Sequence, residues 1–454
     1  MGKNIFLIKN AIVLTNIEKA EITRDCSILI EDNIISKVGK NIEVPLNISV
    51  IDAKNCIAIP GLINTHHHLY QSFTRCLKPV QNVKLFSWLT HLYEVWKEID
   101  YNLLYLSSLI SLSELLLSGC TTCSDLFYIF PKQSDIKLEA VIDAAKYLGV
   151  RIHAGRGSMS LGKSKGGLPP DDLTQTEDEI IDDCVRLIEN FHDPKPFSMV
   201  RIDLAPCSPF SITSDLMKQT IELGKSYNVL CHTHLAETLD EENFCLEKFC
   251  YRPLAYMENL GWLGNNVYFA HCVHLNKDEI KLLSDTSTGV AHCPSSNMRL
   301  GSGIAPIVEM LEHGVKVGLA VDGSSSNDTG NLLGEARQAM LLQRVKNGAD
   351  SLKTEQSIQM ATIGGARVLN REELGKIEVG KAADISIYNL NKIEYAGACE
   401  RDPLGSLVLC QPTQAEYVIC NGKIIVDKGI ITTIDLPQVI EDFNDLLKGK
   451  FGII

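Results

Sequence analysis

The feature that most constrains the fold is a short strand-like run followed by a helix-like segment, repeated eight times along the chain. The strand-like runs are Ile57–Ile63, Thr121–Leu126, Arg151–Arg156, Val200–Ala205, Val229–Leu235, Val267–Val273, Gly289–Cys293 and Lys316–Val321. The segments with apolar residues three or four positions apart are Tyr101–Ser118, Ile136–Leu148, Glu177–Asn190, Ser214–Ser226, Glu241–Leu260, Lys277–Ser284, Ile304–His313 and Asn331–Val345. This alternation is typical of parallel strands connected by helices, and eight repeats predict a (β/α)8 TIM barrel of the α/β class. A doubly wound parallel sheet is the alternative that the pattern leaves open.

The two ends of the chain have a different pattern, in which apolar and polar residues alternate over short runs. Residues 3–56 contain several such runs, and Asp384–Tyr388, Tyr417–Ile419 and Lys423–Val426 follow the barrel region. Asn421-Gly422 is typical of a hairpin turn. We predict that residues 1–56 and 371–454 fold together into one small β-sandwich beside a barrel of residues 57–370. The second of these end segments is also expected to contain a terminal helix.

Charge and hydropathy exclude several classes of partner. The net charge of −13 argues against a nucleic-acid backbone or an anionic membrane, because both bind basic surfaces. No apolar run approaches the roughly 18–20 residues that span a bilayer, and Ile5–Leu14 is interrupted by Lys9 and Asn10. The 15 cysteines are an odd number without framework spacing, which is typical of reduced and buried thiols. We therefore expect a soluble, cytoplasmic protein.

Histidines follow the first strand-like run, in the sequence Asn64-Thr65-His66-His67-His68. Barrel enzymes build their sites at the carboxyl ends of the strands, so these residues lie where a site is expected. In an extended backbone His66 and His68 share one face while His67 points away. Two imidazoles on one face could bind a metal ion, although three adjacent histidines could equally form a solvated turn.

Other strand ends carry the same kinds of residue. The fifth run ends in His232-Thr233-His234 followed by Glu237, the sixth contains His271, and Asp322 follows the eighth. Imidazole and carboxylate groups that converge on one mouth are suited to Zn²⁺ or Fe²⁺ with a position left for water. The chain has only 12 histidines, so we interpret this clustering as a metal centre. His232 shares a face with His234 and is therefore a rival ligand.

The order of these residues resembles the amidohydrolase superfamily. The matching pattern is Pro60-Gly61-x-x-x-x-His66-x-His68, then His234-x-x-Glu237, then His271, then Asp322. More narrowly, it is similar to the mononuclear-metal branch that deaminates nitrogen heterocycles, and the similarity covers the whole chain. Residues 66–75, 157–170, 322–344 and 393–403 are most similar to members that act on 8-oxoguanine and on hydroxylated triazines.

The resemblance implies a set of metal ligands and a set of acid–base residues. The implied ligands of one divalent ion, Zn²⁺ or Fe²⁺, are His66, His68, His234 and Asp322. The implied acid–base residues are Glu237, His271 and Asp322. The ion would lower the pKa of a water molecule, and that water would then attack the ring carbon bearing the amine. The expected reaction is deamination of a purine-like base, 8-oxoguanine to urate and ammonia. The alternatives are isocytosine, guanine, cytosine, a hydroxylated s-triazine, or a substrate of the adenosine or S-adenosylhomocysteine type.

The residues predicted to contact the substrate are Gln71, Trp88, Arg156, Ser158 and Phe210. Gln71 lies three residues past His68, where guanine deaminases carry a glutamine that binds the purine. Trp88 lies in a predicted loop over the site, where it could stack on a ring or serve as a hydrophobic staple. Phe210 could also stack, Arg156 could neutralise an oxo group or pair with an acidic loop, and Ser158 begins a loop over the mouth.

Two departures from the family's patterns narrow these expectations. Guanine deaminases place an arginine beside a phenylalanine after the fourth strand, whereas Ala205–Phe210 contains no arginine. A base with an extra oxo group, or with a smaller ring, is therefore favoured over guanine. The dinuclear branch needs a carboxylated lysine in the same region, and the lack of one here indicates a single metal ion.

Two further motifs are interpreted as structural. Gly157–Ser164 matches the phosphate-binding loop pattern, but Lys165–Pro170 cannot start the helix that such a loop requires. Cys120 and Cys123 have metal-ligand spacing without a second pair, so we expect them in the core. A non-catalytic scaffold of the same fold is disfavoured because every chemical position is retained. We expect a homo-oligomeric enzyme whose partner is a small heterocyclic base.

Overall fold

The computed structural model describes residues 4–44 and 46–452. Residues 1–3, 453 and 454, which belong to the first and last predicted segments, and residue 45 lie outside the described residues. In the described part of the chain the strands form two sheets, named here the barrel and the accessory sheet.

The strands fall into three groups along the chain. The first group is β1 (Ile5–Asn16), β2 (Glu21–Glu31), β3 (Ile34–Gly39), β4 (Ser49–Asp52) and β5 (Cys56–Pro60). The second is β6 (Leu62–Asn64), β7 (Cys120–Phe127), β8 (Arg151–Ser158), β9 (Val200–Pro206), β10 (Cys231–Leu235), β11 (Val267–His271), β12 (Gly289–His292) and β13 (Lys316–Leu319). The third is β14 (Ile385–Asn389), β15 (Tyr417–Cys420), β16 (Lys423–Asp427) and β17 (Ile430–Ile431).

Helices occupy the connections between the strands of the second group and continue after the last of them. The earlier helices are α1 (Leu85–Trp96), α2 (Tyr101–Leu117), α3 (Glu139–Leu148), α4 (Glu177–Phe191), α5 (Ser214–Tyr227), α6 (Leu239–Phe249) and α7 (Pro253–Asn259). The later ones are α8 (Lys277–Asp285), α9 (Pro294–Arg299), α10 (Ile307–Glu312), α11 (Leu332–Asn347), α12 (Thr354–Gln359), α13 (Gly365–Val368), α14 (Pro403–Leu409) and α15 (Leu436–Phe451). Within residues 4–44 and 46–452, no helix has both the length and the apolar composition that crossing a membrane requires.

The barrel consists of parallel strands in sequence order, from β6 to β13. Where its two edges meet, the Thr65 N–H donates to the Leu319 carbonyl at 3.1 Å. One step further along, the Asp322 N–H donates to the His66 carbonyl at 3.2 Å. A doubly wound sheet would instead reverse its strand order near the middle. The predicted (β/α)8 class is therefore confirmed.

The accessory sheet is built from both ends of the chain, in the order β17-β16-β15-β14-β5-β1-β2-β3, with β4 pairing beside β1. β5 and β14 join the two ends, and Ile385 lies opposite Pro60. The turn between β15 and β16 contains Asn421 and Gly422, whose φ values of 50° and 73° match the predicted hairpin turn. Some apolar residues of the accessory sheet, among them Ile8 and Ile385, form a core of their own, whereas others, such as Ile57 and Val418, pack into the core of the barrel. The prediction that both ends form one β unit is confirmed.

The predicted first barrel strand differs from the observed one. The run Ile57–Ile63 is divided at Gly61, so that its first part lies in β5 of the accessory sheet and its second part in β6 of the barrel. Both parts are buried, and an uninterrupted apolar run does not reveal such a division. Gly61 is required there because a Cβ atom would collide with Thr121. The domain bounds at residues 56/57 and 370/371 stay a prediction.

The segment around Trp88, which the sequence analysis expected to be a loop, is the helix α1. Its buried residues are Leu85, Trp88, Leu89, Leu92, Tyr93 and Trp96. These positions recur every three or four residues, which is the spacing of an amphipathic helix. α1 therefore covers the site as a packed element and fixes the position of Trp88.

Candidate metal centre and active site

The strand-end residues predicted from the sequence lie together at the carboxyl end of the barrel. His66 and His68 follow β6, His234 lies in β10, His271 ends β11 and Asp322 follows β13. None of these residues is more than 9% exposed. Two overlapping groups of residues bring possible ligand atoms within 4.8 Å of one another. One group is His66, His234 and His271, and the other is His66, His68 and Asp322. The barrel therefore brings the predicted metal ligands to one place.

Hydrogen bonds to the outer ring nitrogens decide which nitrogen of each imidazole faces the centre. His68 Nδ1 donates to the Leu126 carbonyl at 2.7 Å, and His234 Nδ1 donates to the Cys207 carbonyl at 2.6 Å. A carbonyl oxygen only accepts, so each neutral ring carries its proton on Nδ1 and a lone pair on Nε2. The two Nε2 atoms are 3.0 Å apart. Lone pairs that face each other at this distance repel unless a cation lies between them, so the pair fits a metal ion.

Asp322 contributes one carboxylate oxygen to the same place. Its Oδ1 lies 3.2 Å from His66 Nε2 and 3.4 Å from His68 Nε2. Among the described residues, neither His66 Nε2 nor Asp322 Oδ1 has a hydrogen-bond partner, although both atoms are buried. Imidazole nitrogens together with a carboxylate oxygen are the donor set that Zn²⁺ or Fe²⁺ prefers. The residues present therefore fit a divalent ion.

Two serines that the sequence analysis did not single out hold the other oxygen of Asp322. Ser296 Oγ donates to Oδ2 at 2.6 Å, and Ser326 Oγ donates to it at 2.9 Å. These hydrogen bonds fix the rotation of the carboxylate and leave Oδ1 facing the histidines. The run Ser324–Ser326 after Asp322 is a signal that sequence reasoning could have used. Ser296 gave no such signal, because it lies 26 residues away in the chain.

His271 and Asp322 have a left-handed backbone conformation, which residues other than glycine rarely adopt. The φ angle is 72° at His271 and 63° at Asp322. Such left-handed conformations cost of order 1–3 kcal/mol each and are concentrated at functional sites. Both occur here where a strand ends and its side chain joins the candidate metal centre.

Glu237 and His271 lie beside the predicted ligands. Glu237 Oε2 is 3.8 Å from His271 Nε2. His271 Nδ1 donates to the side-chain oxygen of Asn297 at 2.9 Å, which leaves Nε2 on the side of Glu237. Burial raises the pKa of Glu237 above its ordinary value. Burial alone would lower the pKa of His271, but the carboxylates of Glu237 and Asp322 outweigh it and raise that pKa.

A second buried carboxylate fixes the segment that carries Glu237. Glu241 accepts the N–H of Ala236 on one oxygen and the N–H of Glu237 on the other, both at 2.9 Å. Burial raises the pKa of Glu241 to about 7. Sequence reasoning missed this residue because it lies in the first turn of α6, where acidic residues are common.

A cavity opens beside the metal centre, and Gln71, Trp88 and Phe210 line it as predicted substrate contacts. Lining residues that the sequence analysis did not single out are Leu85, Leu89, Tyr128, Cys207, Leu300 and Ser326. Tyr128 directly follows β7, so the strand-end rule could have found it. Gln71 Oε1 accepts the Ser325 N–H at 3.2 Å, so the amide NH₂ group of Gln71 is left to donate to a ligand. Trp88 Nε1 is buried without a hydrogen-bond partner in the described part of the chain.

The structure does not bring the other two predicted substrate contacts to this cavity. Arg156 donates to Asp183 at 2.8 Å and to Gln175 at 2.9 Å. Its guanidinium also lies 4.0 Å from the centre of the Phe130 ring. Ser158 ends β8, and its carbonyl accepts the N–H of Cys207 at 3.0 Å. Both residues therefore connect neighbouring segments of the barrel frame.

His232, the rival ligand on β10, lies on the other side of His66. Its Nε2 is 2.7 Å from His66 Nδ1, the ring nitrogen that faces away from Asp322. His232 belongs to neither group of converging ligand atoms. Between the two candidates on this strand, the geometry favours His234.

Comparisons with known proteins show to which family the chain belongs. Residues 57–431 match the Amidohydrolase family. The chain is 44% identical to the 8-oxoguanine deaminase of Pseudomonas aeruginosa over 392 residues. The matched region covers 86% of this chain and 87% of that protein. It is 36% identical to the hydroxydechloroatrazine ethylaminohydrolase of Pseudomonas sp. strain ADP, over 86% of this chain and 82% of that protein. Among solved structures, the zinc complex of atrazine chlorohydrolase TrzN from Arthrobacter aurescens TC1 superposes with a TM-score of 0.94 at 33% identity, covering 97% of this chain and 100% of that one.

Proposed function

This chain belongs to the amidohydrolase family and is a metal-dependent hydrolytic deaminase, and we propose that it converts 8-oxoguanine and water to urate and ammonia. The similarity to the Pseudomonas aeruginosa enzyme supports this substrate. The observation that carries the proposal is a pair of hydrogen-bond donors without partners on residues that line the cavity beside the metal centre. They are the amide NH₂ group of Gln71 and the buried Nε1 of Trp88. We propose Zn²⁺ as the ion, because a zinc complex is among the similar structures.

The donors in the cavity correspond to the acceptors of the proposed base. 8-Oxoguanine has carbonyl oxygens at C6 and C8, whereas guanine has one at C6. A buried donor left without an acceptor costs about 1–3 kcal/mol, so donors at two places favour the base with two carbonyls. Phe210 supplies an aromatic ring beside a planar base. Among the described residues that line the cavity there is no lysine or arginine, which suits an uncharged base and not a nucleotide.

The roles of the protein side chains follow from their positions. His66, His68, His234 and Asp322 would hold the ion, which when bound lowers the pKa of a water molecule. Ser296 and Ser326 keep the Asp322 carboxylate in the orientation that this requires. His271 Nε2 accepts a proton from water as the water oxygen attacks C2. It can do so because the ring carries its own proton on Nδ1, in a hydrogen bond to Asn297, which leaves a lone pair on Nε2.

Glu237 transfers protons to the substrate in the same reaction. Glu237 gives its proton to the ring nitrogen beside C2, then takes the second proton of water from the new hydroxyl group on C2 and passes it to the amine. It regains its own proton from His271, whose Nε2 lies 3.8 Å from Glu237 Oε2. A carboxylate suits this shuttle because it both accepts and donates within one cycle. The bond between C2 and the water oxygen forms, and the bond between C2 and the amine breaks. The amine leaves as ammonia with one proton from water, and the ring retains the oxygen as the third carbonyl of urate.

The test is the rate of ammonia release from a panel of bases by the zinc-loaded protein. The panel contains 8-oxoguanine, guanine, isocytosine, a hydroxylated triazine and adenosine. Urate is identified chromatographically as the product of the first. We expect kcat/KM for 8-oxoguanine to exceed that for guanine by about tenfold or more, because guanine leaves one donor unpaired.

The zinc-loaded Glu237→Gln variant, prepared in the same way, controls for contaminating deaminases. A higher kcat/KM for another base of the panel would overturn the proposed substrate. Zinc-loaded protein that releases ammonia from none of these bases would overturn the proposed reaction as well.

A further inference from the structure

Below the metal centre, the interior of the barrel contains a series of buried polar side chains. We call His232, Tyr268, Asp203 and His153 the interior polar chain. They lie on the neighbouring strands β10, β11, β9 and β8, and none of them is more than 1% exposed. The predicted metal ligand His66 lies at one end of this chain.

Each member of the interior polar chain contacts the next. His232 Nε2 lies 2.7 Å from His66 Nδ1, and the His232 ring stacks on Tyr268 with the ring centres 4.0 Å apart. The Tyr268 hydroxyl donates to Asp203 at 3.2 Å. His153 Nδ1 donates to the other oxygen of Asp203 at 3.1 Å. His232 is therefore held in one orientation from below.

The direction of the hydrogen bond between the two histidines follows from the partner of His232 Nδ1. That nitrogen donates to the Tyr268 carbonyl at 3.1 Å. Within the described residues, no carboxylate lies at hydrogen-bond distance from His232, so its ring is neutral and Nε2 carries a lone pair. His66 Nδ1 must then be the donor, and the lone pair of His66 is on Nε2, the atom that faces Asp322.

We propose that His232 is a positioning residue that keeps His66 in the Nδ1-protonated tautomer and so aims its Nε2 lone pair at the divalent ion. This role rests on the proposed function, because it requires that His66 binds the ion. His68 and His234 are oriented by backbone carbonyls, whereas His66 is oriented by a side chain. Partners of this kind fix the ring orientation of metal-binding histidines and raise their basicity.

A purely structural role would make a different prediction. If His232 only filled space against Tyr268, any side chain of similar size would preserve metal binding. Gln and Met have similar lengths and flexibility, but the Gln amide oxygen accepts a hydrogen bond from His66 Nδ1 and the Met thioether accepts one only weakly. The pair His232→Gln and His232→Met therefore separates the hydrogen bond from the packing.

The experiment measures the zinc dissociation constant of the full-length protein by competition with a chelator. In parallel, the absorption spectrum of the Co²⁺-substituted protein reports the geometry at the ion. We expect His232→Met to weaken zinc binding about 10–100-fold and to shift the Co²⁺ spectrum. We expect His232→Gln to bind zinc nearly as the wild type does, within about threefold, with an unshifted spectrum.

His292→Met is the matched control, because His292 is also a fully buried histidine and its ring nitrogens have no partner in the described structure. It is expected to leave the zinc affinity unchanged. Equal zinc affinities of the Gln and Met variants at position 232, whether both high or both low, would overturn the role of His232. A wild-type protein that binds no divalent ion would overturn the proposed function itself, and the ammonia-release assay on the same samples distinguishes the two failures.

Discussion

Removing the carboxylate of Asp384 is expected to destabilise the protein by about 3–5 kcal/mol. Asp384 directly precedes β14, and its partner Arg151 begins β8, so this ion pair joins the accessory sheet to the barrel. Arg151 Nε donates to Oδ2 at 2.8 Å, and Nη2 donates to Oδ1 at 3.1 Å. The two side chains are 0% and 3% exposed, so water does not screen the pair.

The magnitude follows from what surrounds Arg151. Its other N–H groups donate to the carbonyls of Phe197 and Ser198 and to the side-chain oxygen of Asn421, all of which are uncharged acceptors. In Asp384→Ala the Arg151 guanidinium stays buried without a paired carboxylate, because the nearby Glu373 is already paired with Arg371. Removing one partner of a buried pair in this way costs about 3–5 kcal/mol. Asp384→Asn retains an acceptor but not the charge, so its free energy of unfolding is expected to lie between those of the wild type and the alanine variant.

Urea unfolding of the metal-loaded protein, followed by circular dichroism, measures the shift of the midpoint, which the wild-type m value converts into free energy. The double variant Arg151→Met with Asp384→Ala removes both charges. Its free energy of unfolding is expected to exceed that of Asp384→Ala alone by about 1 kcal/mol or more. A loss below about 1 kcal/mol in the single variant, or a double variant no more stable than the single one, would refute this reasoning.

Glu237→Gln is expected to retain fold and zinc but to lose about 10²–10⁴-fold in kcat, measured as ammonia release beside metal content; a kcat near that of the wild type would remove Glu237 from the mechanism. Asp322→Ala is expected to weaken zinc binding and to abolish turnover together, and a fully active, zinc-loaded variant would contradict its role. Trp88→Phe keeps an aromatic wall but lacks the indole N–H, so kcat/KM for 8-oxoguanine should fall about tenfold while that for guanine changes little. An equal loss for both bases would show that Trp88 only packs. Chelation of the metal should abolish activity and lower Tm, and added zinc should restore both, because the ion stabilises the folded state that binds it.

The alternation of strands and helices was sufficient to predict the barrel, because each strand–helix unit leaves a local pattern in the sequence. The division at Gly61 was not predictable from that pattern. β5 and β6 are both fully buried, and which sheet a buried strand joins depends on partners such as β14 at the far end of the chain. The helix α1 was predictable in principle, since the spacing of Leu85, Trp88 and Leu92 is visible in the sequence.

The sequence indicated which side chains converge, because the carboxyl ends of barrel strands meet at one mouth. It could not indicate what orients them. Ser296 orients Asp322, Glu241 fixes the segment that carries Glu237, and His232 orients His66. Each acts through one or two hydrogen bonds to groups that only the fold brings together. Arg156 shows the same limit, since its position at a strand end does not reveal that Asp183 on α4 binds it.

The pairing of β5 with β14 also affects how the chain can fold while it is being made. β5 leaves the ribosome before the barrel strands, but Ile385, which pairs with Pro60, is synthesised only after the last of them. Until then one side of β5 has unpaired backbone groups, and such an open edge is a template for pairing with another chain. A nascent chain that stalls between these two points is therefore exposed to aggregation, and the speed of elongation through the barrel becomes part of what determines the yield of active protein.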